Sequence, residues 1–80
     1  MSGDYPPLTP AEVVSILKKA GFTCKKTTGS HSQWEGYIGG LRRLVTVDQL
    51  SRRSETFGKK LIKLMIRQSG MTRDEVYSYR

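Results

Sequence analysis

The apolar residues of this 80-residue chain change their spacing twice, and those changes decide its fold class. Up to Gly21 they recur with the three-and-four step of a helix, at Val13, Ile16, Leu17 and Ala20. From Phe22 to Asp48 the step shortens to two, β-branched residues accumulate, and glycines at 29, 39 and 40 punctuate the run. Beyond Thr56 the helical step returns. The expected order is therefore one helix, three short strands and a second helix. Connections this short favour an antiparallel meander with both helices on one face of the sheet, an α+β two-layer sandwich.

Local signals set the boundaries. Residues 1–8, with Pro6 and Pro7, read as an extended lead-in. Thr9, Pro10 and Glu12 form a capping box with proline at the first helical position. Leu8 and Val13 are spaced as a hydrophobic staple, so a helix is expected over 10–20. A strand follows from Phe22 to Gly29. A second runs over Ser32–Ile38, with Trp34, Gly36 and Ile38 on one face and Gln33, Glu35 and Tyr37 on the other. Gly39-Gly40 is a hairpin turn, and Arg42–Asp48 is a third strand directing Val45 and Val47 inward. Residues 49–55 read as a polar loop in which Arg52 and Arg53 are either solvated or phosphate contacts.

The second helix is expected over 56–69, burying Phe57, Leu61, Leu64 and Met65 and ending at Gly70. Its opposite face carries Lys59, Lys63 and Arg67 at four-residue steps, either a solvated ladder or a phosphate-contacting face. Thr72 with Glu75, and Met71 with Val76, repeat the box and staple, so residues 72–80 are expected to add a short C-terminal helix. Tyr77 and Tyr79 either pack back on the domain or serve a partner. The whole of 1–80 is expected to be one domain.

A composition of 36% hydrophobic and 26% charged residues fits an ordinary soluble domain. No run approaches the roughly 20 apolar residues of a membrane span, and the start lacks a signal peptide's apolar core. A cytoplasmic location without membrane association is the expectation. One cysteine and one histidine supply neither a disulfide nor an all-protein transition-metal cage, so no metal or other cofactor is expected. Cys24 reads as a small buried hydrophobe. Fourteen Lys and Arg against seven Asp and Glu give a net charge of +7, which points to a polyanion, with nucleic acid first and an acidic protein second.

The element order and the basic second helix fit the double-stranded-RNA-binding (dsRBD-like) sandwich. Over roughly residues 8–71, "ILKKAGFTCKKTTGSHSQWEG", "RRLVTV" and "FGKKLIKLMIRQSGM" resemble the HicA family, small bacterial toxins of toxin–antitoxin pairs. The resemblance rests on four pieces taken in order: the helix ending in Ala-Gly-Phe, the Gly29-Ser30-His31 turn with an aromatic three residues on, Val-Thr-Val in the third strand, and Ile-Arg-Gln-Ser-Gly closing the second helix. It implies the dsRBD-like α-β-β-β-α fold, cleavage of messenger RNA (an mRNA interferase), and a HicB-type antitoxin partner that masks the active turn. Assembly is expected as a homodimer or a toxin–antitoxin hetero-oligomer.

The resemblance also implies that His31 is the catalytic residue. An unperturbed imidazole titrates near pH 6.5, so it can take and return a proton near neutral pH. Gly29 permits the turn, and Ser30 is placed to orient the ring or donate to a phosphate oxygen. Lys25, Lys26, Lys59, Lys60 and Lys63 are the candidate phosphate contacts, with Lys25 and Lys26 nearest the histidine in sequence. Many family members carry a second histidine in a Pro-His segment after the third strand. Here that place reads "VTVDQLSRRSE", so the second acid–base role falls to His31 itself, to a lysine, to Glu35, or to electrostatic positioning. Trp34 is expected in the core, while for Tyr37 core packing and stacking on a base stand level. The alternative to an endoribonuclease is a non-catalytic RNA-binding module of the same fold; a domain for an acidic protein partner stands third.

Overall fold

The computed structural model describes residues 5–48 and 56–80. Arg52, Arg53 and the expected loop at 49–55 lie outside the described residues, as do the first four positions of the lead-in. The element order is α1 (Pro10–Lys19), β1 (Thr23–Thr28), β2 (His31–Ile38), β3 (Leu41–Asp48), α2 (Lys59–Ser69) and α3 (Arg73–Ser78). This is the dsRBD-like α-β-β-β-α order, with the expected short third helix.

Helix α1 starts where its side chains satisfy the orphan amides of the first turn. Thr9 Oγ1 accepts from the Glu12 N–H at 3.1 Å, and Glu12 Oε1 accepts from the Thr9 N–H at 2.9 Å. Thr72 and Glu75 repeat the arrangement at α3. The lead-in is held by the fold at two points. Phe57 N–H donates to the Leu8 carbonyl at 2.8 Å in an isolated antiparallel bridge, and the Tyr77 hydroxyl donates to the Pro6 carbonyl at 2.8 Å.

The three strands form an antiparallel sheet in the order β1-β2-β3. Ser32, Trp34 and Gly36 of β2 and Val45 and Val47 of β3 face the helices and are buried with Val13, Ile16, Leu17, Ile62 and Met65. Trp34 is thus a core residue, and its Nε1 donates to Ser32 Oγ at 3.0 Å, whose hydroxyl donates to the Val47 carbonyl. Gly36 is fixed by packing: a β-carbon there would lie 2.8–2.9 Å from three Phe22 ring atoms, so the ring rests on bare backbone. Helix α2 packs over β3, and Gln68 Oε1 accepts the Thr46 N–H at 3.2 Å, covering part of that sheet edge.

Two sequence expectations are corrected. The buried side of α2 is Ile62, Met65 and Ser69, whereas Leu61 and Leu64 are 38% and 46% exposed. The helix carries two adjacent apolar arcs, and periodicity alone does not rank them. The chosen arc ends in Ser69, small enough for close approach and internally satisfied. Its hydroxyl donates to the Ile66 carbonyl at 2.7 Å and accepts the Met71 N–H at 3.1 Å. Phe57 is buried as expected but precedes the helix, because its N–H is committed to Leu8 and Gly58 is the N-cap. The second correction concerns Cys24, which is exposed. It sits on β1, an edge strand of the sheet whose six residues are all exposed.

Candidate active site

The hairpin joining β1 and β2 turns through Gly29 and Ser30, with Thr28 paired to His31. Gly29 has φ of 58°, the left-handed value that the first central residue of a type II′ turn requires. His31 is consequently the first residue of β2 rather than a turn residue, and alternation along β2 decides where it points. Ser32, Trp34 and Gly36 face the helices; His31, Gln33, Glu35 and Tyr37 face the open side of the sheet.

The register supplies the neighbours. His31 lies between Thr28 of β1 and Asp48 of β3, and Gln33 lies between Lys26 and Thr46. Lys26, Thr28, His31, Gln33 and Thr46 line one shallow hollow. His31 Nε2 is 2.6 Å from Asp48 Oδ1, and the Ser30 hydroxyl lies 3.4 Å from Nδ1. Both members of the pair remain open to solvent, His31 at 59% and Asp48 at 42% side-chain exposure. A carboxylate on one ring nitrogen fixes ring orientation and favours the tautomer with its proton there.

The two lysines before the turn separate. Lys26 joins the hollow, while the pairing slips by one residue between Cys24 and Lys26, leaving Lys25 as the unpaired residue of a β-bulge. Lys25 Nζ instead lies 3.7 Å from Glu35 Oε1. Arg42 Nε donates to Glu35 Oε2, and this bond, more than the nearby charges, holds the Glu35 carboxyl below the usual glutamate range. Glu35 is therefore a doubly engaged anion four residues along β2 from His31, about 13 Å by strand rise. It is poorly suited to share a proton transfer with the imidazole.

The lysines of α2 are not brought to the histidine. Lys59 and Lys63 lie 5.8 and 5.3 Å from the centroid of the Tyr5 ring, which Arg73 also approaches at 5.7 Å. Lys60 sits with Leu61, Lys63, Leu64 and Arg67 along a surface groove. All three belong to the helix layer, and His31 belongs to the open face.

Asp48, Gln33, Thr28 and Thr46 were not singled out by sequence reasoning. A signal for Asp48 was present. The two-residue turn at Gly39-Gly40 pairs Ile38 with Leu41, and stepping back along both strands from that pair places Asp48 opposite His31.

No helix among the described residues is long and apolar enough to cross a membrane. A search of curated proteins found no match. The family model described as the HicA toxin of bacterial toxin–antitoxin systems matches residues 10–71, which runs from the first residue of α1 through β2 and its histidine to just past α2. The chain belongs to the HicA toxin family, whose members are the toxins of bacterial toxin–antitoxin pairs.

Proposed function

We propose that this toxin is a metal-independent endoribonuclease that cleaves mRNA, with His31 as its catalytic acid–base. The observation that carries the reading is the placement of His31: solvent-accessible on the open sheet face, one ring nitrogen against Asp48, the other beside Ser30, with Lys26 in the same hollow. With Asp48 accepting from Nε2–H, Nδ1 is left as the basic nitrogen. It takes the proton of a ribose 2′-hydroxyl as the 2′-oxygen attacks the adjacent phosphorus. The new O2′–P bond forms, the P–O5′ bond breaks, and the imidazolium returns the proton to the departing 5′-oxygen. The products are a 2′,3′-cyclic phosphate and a 5′-hydroxyl. Lys26 stabilises the charge developing on the phosphoryl oxygens, and the Ser30 hydroxyl, released from Nδ1, donates to one of them.

Asp48 answers the absence of a second histidine by orienting the ring and stabilising the imidazolium, so that one imidazole serves both steps. Lys25, held by Glu35, is a secondary phosphate contact, and Lys59, Lys60 and Lys63 meet RNA that passes round the helix layer. The whole of residues 1–80 acts as a single HicA-like domain, with α3 appended. The partner is an antitoxin of the HicB kind with an acidic surface that covers the open face.

The test is cleavage of a defined RNA in EDTA by wild type and His31→Ala, each checked for folding by circular dichroism. Wild-type fragments should end in cyclic phosphate and fall by about 10²- to 10⁴-fold in rate for the variant. Equal cleavage by both proteins rejects His31, and RNA bound but uncut by either leaves the non-catalytic RNA-binding module.

A further inference from the structure

We infer that Tyr37 is a base-stacking subsite that holds the RNA strand at the far end of the same sheet face, a reading that rests on His31 marking the cleavage point. Tyr37 shares the open face with His31 and Gln33 and is 68% exposed, the most exposed of the large hydrophobic residues described. The six-residue separation from His31 spans about 20 Å along β2. At the roughly 3.4 Å rise of stacked nucleotides this is about six bases, and fewer if the strand is stretched.

The surroundings suit that use. Arg42 is the cross-strand partner of Tyr37, and Leu44, 39% exposed, is its diagonal neighbour. These side chains make a ledge that is apolar on one side and cationic on the other. Between ledge and histidine, Lys26 borders Gln33, and Glu35 is covered by Lys25 and Arg42, so its carboxylate does not face a phosphate unscreened. A flat sheet face with an exposed aromatic and flanking cations binds unpaired bases by stacking. The same face offers little to a duplex, whose bases are already stacked on one another.

The experiment uses the cleavage-inactive His31→Ala chain and a fluorescein-labelled, single-stranded 12-nucleotide RNA, read by fluorescence anisotropy at fixed salt. Adding Tyr37→Ala should weaken binding by about 5- to 150-fold, the loss of one stacked base, while Tyr37→Trp holds it within about twofold. A blunt RNA duplex of the same sequence should be insensitive to both. Glu35→Gln, which frees Arg42 and Lys25, should tighten single-strand binding and steepen the log–log salt slope by about 0.7 for each freed cation that contacts a phosphate. Unchanged affinity on Tyr37→Ala overturns the inference, as does an equal loss for duplex and single strand, or a loss confined to antitoxin binding. Cleavage by the His31-intact chain separates the two readings. Retained cleavage with no Tyr37 effect on KM rejects the subsite alone, whereas Tyr37-dependent binding without cleavage rejects the nuclease alone.

Discussion

Replacing Asp48 by asparagine removes the charge that faces the imidazole while keeping size and hydrogen-bonding capacity, so it isolates the electrostatic part of the pair. The 2.6 Å contact has the geometry of a charge-assisted hydrogen bond, which contributes about 1.5–3 kcal/mol when shielded from water. Here both side chains are about half exposed, and exposed ion pairs contribute roughly 0.2–1 kcal/mol. A value near the top of that exposed range, about 1 kcal/mol, corresponds to a rate loss of about fivefold if the interaction is felt mainly as the imidazolium forms. Steady-state cleavage of a fluorogenic RNA should therefore show kcat lower by about fivefold, with KM unchanged or reduced because an anion has been removed from beside the phosphodiester. Nitrogen-15 NMR of the ring should show Nε2 protonation less strongly favoured. Unchanged kcat with an unchanged tautomer would refute the orienting role. A fall of the 10²- to 10⁴-fold size that follows removal of an acid–base group would make Asp48 itself the proton carrier.

Three further outcomes are expected. Gly36→Ala should cost about 1–3 kcal/mol through collision with the Phe22 ring, seen as a Tm lower by about 4–8 °C per kcal/mol; Phe22→Leu in the same chain should recover part of it, and strict additivity of the two would show that the ring is not the obstacle. Ile62→Ala should cost about 2–5 kcal/mol in urea unfolding and Leu64→Ala no more than about 0.5 kcal/mol, equal losses meaning that the helix buries the other arc. Glu12 has its carboxyl lowered below the ordinary value of 4.5, first by the Thr9 backbone N–H and then by Arg80. A lowered folded-state value means stability that is present above pH 4.5 and lost as pH falls through the folded value, so Glu12→Gln should flatten the acid side of the stability profile; an unchanged acid side would detach the capping carboxylate from it.

What a short stretch of chain decides by itself was written in the residues. Thr9 and Thr72 start helices because a hydroxyl and a glutamate three positions on satisfy amides that have no partner within the helix. Gly29-Ser30 and Gly39-Gly40 turn hairpins because positive φ is cheap at their glycines. Alternation then separated the buried Trp34 and Val45 from the exposed Tyr37. The family resemblance, carried by the Gly-Ser-His turn and its companions, came from the same local pieces. Decisions between locally equivalent choices were left to the tertiary structure. Leu61 and Ile62 are adjacent and equally apolar, and only the docking of α2 on β3 ranks them. Cys24 looks like a core residue until β1 is seen to be an edge strand exposed along its whole length. Lys25 and Lys26 are neighbours in sequence, yet the bulge sends one to Glu35 and leaves the other beside His31. Asp48, seventeen residues from His31 in sequence, meets it through the register of the β2–β3 hairpin, which the turn at Gly39-Gly40 sets but which the paired strands must carry to their far end. Backbone geometry acts over a few residues, so sequence fixes the elements. The faces those elements bury, and the side chains that meet across them, depend on packing among segments distant along the chain.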